Sequence, residues 1–269
     1  MTRYSDLFTP RQLVSLTTFA NLVSEARERA VADARQTGTC NDGTGLNNGG
    51  TGVTAYADAV ATYLALATSK SADYWSNLCI WRSDPKNLGI GHVFARQAIQ
   101  MVWDYAEANP ISESSGNWMN SVEWIARVVD GMTLVVAGKA NQLDATVAID
   151  GETSSLISTD PPYYDNIGYT DLSDFFYVWL RHSLGKVYSD LFSTLLVPKA
   201  QELVATPYRF GGDKEEARKF FEEGLGKAFA KMREAQHPDY PLTVYYAFKQ
   251  SETDEEDEGG ELSSQPPSS

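Results

Sequence analysis

The sequence predicts an α/β fold in which a mostly helical region precedes a small sheet. Up to Asp130, apolar side chains recur mainly at helical spacing. After Gly131 this period is lost, and short β-prone runs alternate with helical segments. The predicted strands cover residues 133–137, 145–149, 156–159 and 242–248. Such an alternation favours a sheet that packs against helices.

The first helix is marked by its N-terminal residues. Thr9 is a favourable N-cap, Pro10 suits the first helical position, and Gln12 completes a capping box. The apolar period then continues to about Gln36. The residues expected near its buried face are Leu13, Leu16, Ala20, Val23, Ala30 and Ala34.

Residues 38–52 are rich in Gly, Asn and Thr. A cofactor-binding glycine motif requires a strand, a loop and a helix in that order, and no hydrophobic strand leads into this segment. We therefore predict a flexible loop between two helices. The helix after it is expected over residues 54–67. Its predicted inward side chains are Tyr56, Val60, Tyr63 and Leu64.

Further helical patterns cover residues 91–107, 117–130, 171–185 and 214–232. Asp171 is the predicted N-cap of the third of these, with Asp174 in its first turn. Residues 186–212 form a long connection that contains Lys199 and Arg209. In an acidic chain, these two cations are candidate contacts for the phosphates of a nucleic acid.

We divide the sequence into three parts. Residues 1–132 form the helical region, 133–250 the α/β domain, and 251–269 an acidic tail that is expected to be disordered. The net charge is −14, and seven acidic residues with no basic residue follow Ser251, so half of that charge lies in the tail. The acidic body argues against strong binding of duplex DNA by this chain alone.

Composition excludes several other classes of protein. No apolar run approaches the length of a membrane-spanning helix, and the first residues do not resemble a signal peptide. We therefore expect a cytoplasmic protein without a membrane partner. The two cysteines and three histidines are scattered, so neither a metal site nor a disulfide framework is predicted.

The most informative segment is Asp160-Pro161-Pro162-Tyr163, directly after a predicted strand. Two successive prolines restrict the backbone, so this corner is stiff before any ligand binds. It lies where the sheet should end at its carboxyl edge, the place where open α/β folds bind ligands. The alternative interpretation is a simple proline turn.

These residue types suit methyl transfer to a planar amine. The carboxylate of Asp160 and the carbonyl of Pro161 can each accept one N–H of the amine, which directs its lone pair at an electrophile. The ring of Tyr163 can stack on a base that has been flipped out of a duplex. Tyr164 and Asp165 follow directly and are candidate substrate contacts.

The run from Thr159 to Arg181 resembles a prokaryotic family of large adenine-specific DNA methylases, which begin with a domain of unknown function and are often found in anti-phage loci. The resemblance covers roughly residues 63–249. It implies a partial Rossmann-like methyltransferase sheet, DNA as the partner, and S-adenosylmethionine as the cofactor. The exocyclic amine of adenine is the implied target, with Asp160, Pro161, Pro162 and Tyr163 as catalytic residues. It also places Arg96, Gln97 and Glu107 near the site.

The cofactor motif of these methylases, of the type Asp-Pro-Phe-Xaa-Gly-Xaa-Gly, does not occur in the sequence. We therefore expect a fragment or subunit that supplies the target-base half of the site. An upstream methylase portion or a partner subunit would supply the cofactor half. Two alternatives stay open: a non-catalytic remnant or interaction module, and an amine methyltransferase that acts on cytosine, RNA or a protein amide.

Overall fold

The computed structural model describes residues 3–133, 136, 138–147, 155–165 and 167–246. The chain divides into two compact units. The first contains Met1–Asp144 and Ile167–Glu202, and the second contains Ala145–Asn166 and Leu203–Ser269. Residues 167–202, which the sequence assigns to the α/β part, thus group with the helical unit. The acidic tail lies outside the described residues.

Helix α1 spans Pro10–Gln36, as the sequence predicts. The hydroxyl of Thr9 accepts a hydrogen bond from the backbone N–H of Gln12 at 3.3 Å. The side chain of Gln12 in turn accepts one from the backbone N–H of Thr9 at 2.8 Å. This reciprocal pair satisfies two donors at the helix start, so local chemistry alone determines where α1 begins.

Helix α2 spans Val53–Ala72 and packs on α1. The prediction for its inward face is wrong for two residues, because Tyr56 and Tyr63 are 58% and 39% exposed. The buried positions instead carry small side chains, including Ala57, Ala61 and Ala65. Small side chains allow two helices to approach closely, which decides which face of α2 meets α1.

The glycine-rich segment connects α1 to α2, as predicted. It is tied to the helices by Asp58, which is 3% exposed. One carboxylate oxygen of Asp58 accepts a hydrogen bond from Arg27 Nε at 2.6 Å, and the other accepts one from the backbone N–H of Leu46 at 2.9 Å. A buried carboxylate therefore satisfies both a helix side chain and the loop backbone.

The predicted helix over residues 91–107 is wrong. Only Val93–Ala95 form a short 3-10 helix there. The backbone donors of the segment bond to other parts of the chain: Val93 N–H to the Asp73 carbonyl at 2.9 Å, and Ala106 N–H to the Cys79 carbonyl at 2.7 Å. These tertiary bonds replace the bonds of a helix. A hairpin of β1 (Trp81–Arg82) and β2 (Gly89–Ile90) precedes the segment.

Helix α3 spans Trp118–Gly131 and is capped by Asn117, within one residue of the prediction. Helix α4 spans Tyr169–Leu184 and begins before the predicted Asp171 cap. Asp171 is in its first turn, whereas Asp174 lies further along and is buried. The rings of Phe175 and Trp179 on α4 pack against Phe8 with centroid distances of 5.5 and 5.4 Å, and form the core of the first unit.

The second unit contains helix α5 (Lys214–Ala235) and a parallel pair of strands, β3 (Ser158–Thr159) and β4 (Thr243–Val244). The backbone N–H of Tyr245 donates to the carbonyl of Thr159 at 2.8 Å. The structure is thus a mixture of α and β, with one parallel and one antiparallel strand pair among the described residues. The predicted strands over 133–137 and 145–149 lie partly outside the described residues, and their described positions are not in strands.

Candidate active site

The corner begins directly after β3, at the carboxyl end of the parallel strand pair. Thr159 is the last residue of β3, and Asp160 follows it. Tyr245 and Tyr246 follow the end of β4, which runs in the same direction. Because parallel strands end at the same edge, this pairing brings the two tyrosines to the edge that carries Asp160.

The carboxylate of Asp160 and the ring of Tyr163 face each other across the two prolines. The hydroxyl of Tyr163 donates a hydrogen bond to Asp160 Oδ1 at 2.5 Å. Asp160 itself is exposed, Pro161 is buried and Pro162 is half-buried. Pro161 thus holds the corner to the unit, while the carboxylate remains open to a ligand.

The carbonyl oxygen of Pro161 is the second predicted acceptor for an amine. No hydrogen bond joins it to another residue in the part of the chain that the structure describes. A carbonyl with unused lone pairs beside an exposed carboxylate can accept an N–H from a ligand. The corner therefore offers two neighbouring acceptors, as the sequence predicts, with Tyr163 already bound to one oxygen of the carboxylate.

The ring of Tyr163 packs against Tyr246, a residue that the sequence alone does not single out. Their ring centroids lie 5.3 Å apart with an interplanar angle of 72°, an edge-to-face contact. Tyr246 follows β4 by two residues, and its role depends on the pairing of β3 with β4. The one available sequence signal was a pair of tyrosines near the end of the last predicted strand.

Tyr164 is the described non-glycine residue with a positive φ, at 40°. Left-handed backbone is unfavourable for a tyrosine and is found preferentially at functional sites. Its carbonyl accepts a hydrogen bond from Ala205 N–H at 3.0 Å, and its ring packs edge-on against Phe221 on α5. Burial, and then the carboxylate of Asp165, raise the pKa of Tyr164. Asp165 is exposed.

Lys199, a predicted contact for phosphate, is paired with a carboxylate of the protein. Its Nζ lies 2.6 Å from Asp174 Oδ2 on α4 and also donates to the carbonyl of Val197 at 3.1 Å. Asp174 is 4% exposed, and its other oxygen accepts a hydrogen bond from Val197 N–H at 2.9 Å. Lys199 therefore neutralises a buried carboxylate within the first unit, and its role as a phosphate contact stays a prediction.

Arg209, the second predicted phosphate contact, belongs to the second unit together with the corner. Its guanidinium lies 5.8 Å from the ring centroid of Tyr208, and its Nε is 3.4 Å from the Tyr208 hydroxyl. Glu107, which the resemblance places near the site, belongs to the first unit and accepts hydrogen bonds from Thr9 and Arg11. The hydrogen bond from Thr9 is the main reason that the pKa of Glu107 is lowered.

The glycine-rich segment of the described residues does not fit S-adenosylmethionine. A glycine-rich loop that follows a strand and precedes a helix is the expected cradle for such a cofactor. In the described ranges, the glycine-rich segment follows helix α1, and its Asp58 anchor is already engaged by Arg27 and the Leu46 backbone. This segment therefore lacks the strand, loop and helix order of a cofactor cradle.

A comparison of the chain with protein families, with curated proteins and with solved structures finds no match. The resemblance to adenine methylases thus rests on the motif and its neighbours alone and stays a prediction. Among the described residues, none of the helices combines the length and the apolar character needed to cross a bilayer. Chemically, the corner can hold a planar group that carries two N–H donors between its acceptors and an aromatic ring.

Proposed function

We propose that this chain supplies the target-base half of a DNA methyltransferase that acts on the exocyclic amine of adenine. The observation that supports this most directly is the corner itself. An exposed carboxylate, a neighbouring carbonyl and an aromatic ring follow a parallel strand, in the order of the methylase motif that the sequence resembles. Under this proposal, β3 and β4 are part of a Rossmann-like methyltransferase sheet, completed by other polypeptide.

Each corner residue has a distinct task. Asp160 and the Pro161 carbonyl accept the two N–H groups of the amine, and the resulting geometry directs the nitrogen lone pair away from the ring plane. Tyr163 presents a ring on which the extruded adenine stacks. The two prolines keep these groups in place, so that little conformational entropy is lost when the base enters.

S-adenosylmethionine supplies the electrophilic methyl group in this class of reaction. Because the described residues do not form a cradle for it, we assign that task to an upstream methylase portion or a partner subunit. The same division suits the acidic charge of the chain, since an acidic body does not bind duplex DNA tightly by itself. The partner would then also provide most of the contacts with the phosphates.

The decisive experiment is a methyl-transfer assay with labelled S-adenosylmethionine and unmethylated DNA. We expect incorporation only when the chain is combined with its upstream partner, and incorporation at the adenine N6 position. Asp160→Ala in the same mixture should abolish most of the signal. Incorporation into cytosine, RNA or a protein amide would keep the chemistry but replace the substrate. Full incorporation by the Asp160→Ala mixture would refute the role of the corner.

A second candidate is a non-catalytic interaction module. The observation in its favour is an apolar groove of about 260 Å³ between α2 and α3, lined by Leu64, Ala67, Val122 and Ile125. Large apolar side chains on the outside of α3, among them Met119 and Trp124, are also exposed. Exposed apolar surface of this kind marks sites of protein association. The module would bind the partner yet give no incorporation in the assay.

A further inference from the structure

The first unit contains a second cavity that the corner chemistry does not use. It has a volume of about 250 Å³ and lies among the end of α2, the β1–β2 hairpin and the start of α3. Two cations line it, Lys70 and Arg82, and so do two aromatic residues, Tyr74 and Trp124. Although the chain carries a net charge of −14, the described lining residues include no carboxylate.

Neither cation is neutralised by an ion pair with a carboxylate of the described residues. Lys70 Nζ lies 5.9 Å from the centroid of the Tyr74 ring, which keeps the ammonium beside an aromatic wall. Arg82 is exposed at the hairpin. The pKa of Asp84 is lowered mainly by hydrogen bonds from Lys86 N–H and the Asn87 amide, and to a smaller extent by the charge of Arg82. The oxygens of Asp84 are already engaged, by Lys86 N–H and by the Asn87 amide, each at 3.0 Å.

One part of the cavity wall, at Gly116, is built from closely packed backbone. Gly116 has φ of 81°, and a Cβ added there would lie 3.1 Å from Ala108 Cβ. Its carbonyl accepts a hydrogen bond from Trp75 Nε1 at 2.6 Å, and Trp75 is 1% exposed. The Gly116 loop is therefore pinned to the core, and the cavity is formed before a ligand arrives.

Polar groups complete the lining. Asn87 uses its amide nitrogen for Asp84 and keeps its carbonyl oxygen available, and the side chain of Asn120 lies in the first turn of α3. Residues at the N-terminal end of α3, Asn117, Asn120 and Ser121, line the same space, so the positive end of the helix dipole adds to the potential of the two cations. Two cations, amide groups and aromatic faces together are complementary to a ligand that joins an anion to a flat heterocycle.

We propose that this cavity binds a nucleoside monophosphate group, as a free nucleotide or as one nucleotide of a single strand. Lys70 and Arg82 hold the phosphate, Trp124 and Tyr74 contact the base, and the asparagine side chains hydrogen-bond its polar edge. The volume of about 250 Å³ lies just below the roughly 300–1,000 Å³ of pockets for drug-sized ligands, so the cavity suits one nucleotide rather than a larger molecule. This proposal does not rest on the methyltransferase function, since every lining residue belongs to the first unit.

The test uses the full chain and isothermal titration calorimetry with AMP, adenosine, inorganic phosphate and a single-stranded dA hexamer. Arg82→Gln should weaken AMP binding at least tenfold. Trp124→Ala should weaken AMP binding about fivefold and change phosphate binding less than twofold, because the indole offers a ring face to the base and carries no charge for the phosphate. Both side chains are exposed, so neither substitution removes core packing. Arg29→Gln, an exposed cation on α1, is the matched control and should change binding less than twofold.

The arms of the experiment separate the two sources of the nucleotide. Equal affinity for AMP and the hexamer assigns the site to free nucleotides, and a hexamer affinity at least tenfold higher assigns it to a strand. Adenosine should bind at least tenfold more weakly than AMP, because it lacks the phosphate. Absence of binding by both AMP and the hexamer at millimolar concentration would overturn the proposal. Binding that Tyr163→Ala abolishes and Arg82→Gln leaves intact would overturn it as well, because the nucleotide would then occupy the corner.

Discussion

The hydroxyl of Tyr163 donates a hydrogen bond to Asp160 Oδ1 at 2.5 Å, and the Tyr163 ring meets Tyr246 edge-to-face. Under the proposed function, the Asp160 carboxylate accepts an N–H of the substrate amine. The Tyr163 hydroxyl already donates to one oxygen of that carboxylate. The tyrosine therefore has two tasks: it offers a stacking surface, and it keeps the carboxylate oriented until the amine enters. The two tasks reside in different atoms, so substitutions can separate them.

Replacement of Tyr163 tests both tasks. Tyr163→Phe keeps the ring, so we expect base extrusion to be unchanged and turnover to fall by about three- to tenfold, since an exposed hydrogen bond to a charged group contributes about 1 kcal/mol. Tyr163→Ala should weaken capture of the base by roughly 1–3 kcal/mol. Fluorescence of 2-aminopurine at the target position of the assembled enzyme reports extrusion. Equal fluorescence for wild type and Tyr163→Ala, at matched folded fraction, would remove the residue from the site.

Loss of the Asp160 carboxylate should affect chemistry more than binding. We expect Asp160→Ala to lower the turnover of the assembled enzyme by about 10² or more, because it removes an acceptor for the reacting amine. DNA affinity should stay within about twofold, since the carboxylate makes no favourable contact with phosphate. Asp239→Ala, an exposed aspartate of the same unit, is the control. Wild-type turnover of Asp160→Ala would exclude the assignment.

The isolated chain should bind S-adenosylmethionine weakly or not at all. A ligand at 100 times its Kd stabilises the folded state by about 2.7 kcal/mol, which a thermal unfolding curve resolves easily. We expect no shift of Tm at millimolar S-adenosylmethionine for the chain alone, and a shift for the mixture with its partner. Micromolar affinity of the chain alone in calorimetry would reveal a cofactor site that the described residues do not show.

The ion pair between Lys199 and Asp174 predicts a stability effect. Lys199→Met leaves a buried carboxylate without its cation, so we expect the free energy of unfolding to fall by about 2–4 kcal/mol. Asp174→Asn should cost less, about 1–2 kcal/mol, because the Lys199 side chain is 32% exposed and can be hydrated. Urea unfolding measures both values. Lys219→Met, an exposed lysine on α5, should change the free energy by less than about 0.5 kcal/mol.

The same ion pair predicts a negative result for DNA binding. A lysine that neutralises a protein carboxylate releases few counterions from DNA, so Lys199→Met should leave the salt dependence of binding by the assembled enzyme unchanged. The slope of log affinity against log salt concentration is the measurement. A fall of the slope by about one would restore Lys199 as a phosphate contact.

Burial raises the pKa of the Cys79 thiol from 9.0 to about 11. In the unfolded chain the thiol ionises near its ordinary pKa, so between about pH 9 and 11 the folded state retains a proton that the unfolded state loses. Stability is therefore lost as the pH rises through this window. We expect Cys79→Ala to show a weaker decline of Tm from pH 9 to 11 than wild type.

The two cysteines should also differ in reactivity. Cys40, which is exposed, should react with a thiol reagent at pH 8, whereas the buried Cys79 should not.

Features that depend on neighbours in the chain could be predicted from the sequence. The start of α1 follows from hydrogen bonds between Thr9 and Gln12, three residues apart. The N-cap of α3 is likewise local, since Asn117 accepts from Asn120 N–H at 2.8 Å. The corner itself belongs to this group, because successive prolines limit the backbone whatever surrounds them.

Features that depend on distant residues were decided only by the tertiary structure. Helical spacing identified α2 as amphipathic but could not tell whether α1 would pack against its tyrosines or its alanines; close approach of the two helices selected the alanines. The backbone N–H groups of Val93 and Ala106 donate to carbonyl oxygens outside the segment 91–107, so the predicted helix does not form there. The ion pair of Lys199 with Asp174 and the ring contact of Tyr163 with Tyr246 each join residues that are far apart in the sequence. A sequence records which groups need a partner, whereas only the folded chain determines which partner lies within about 3 Å of each.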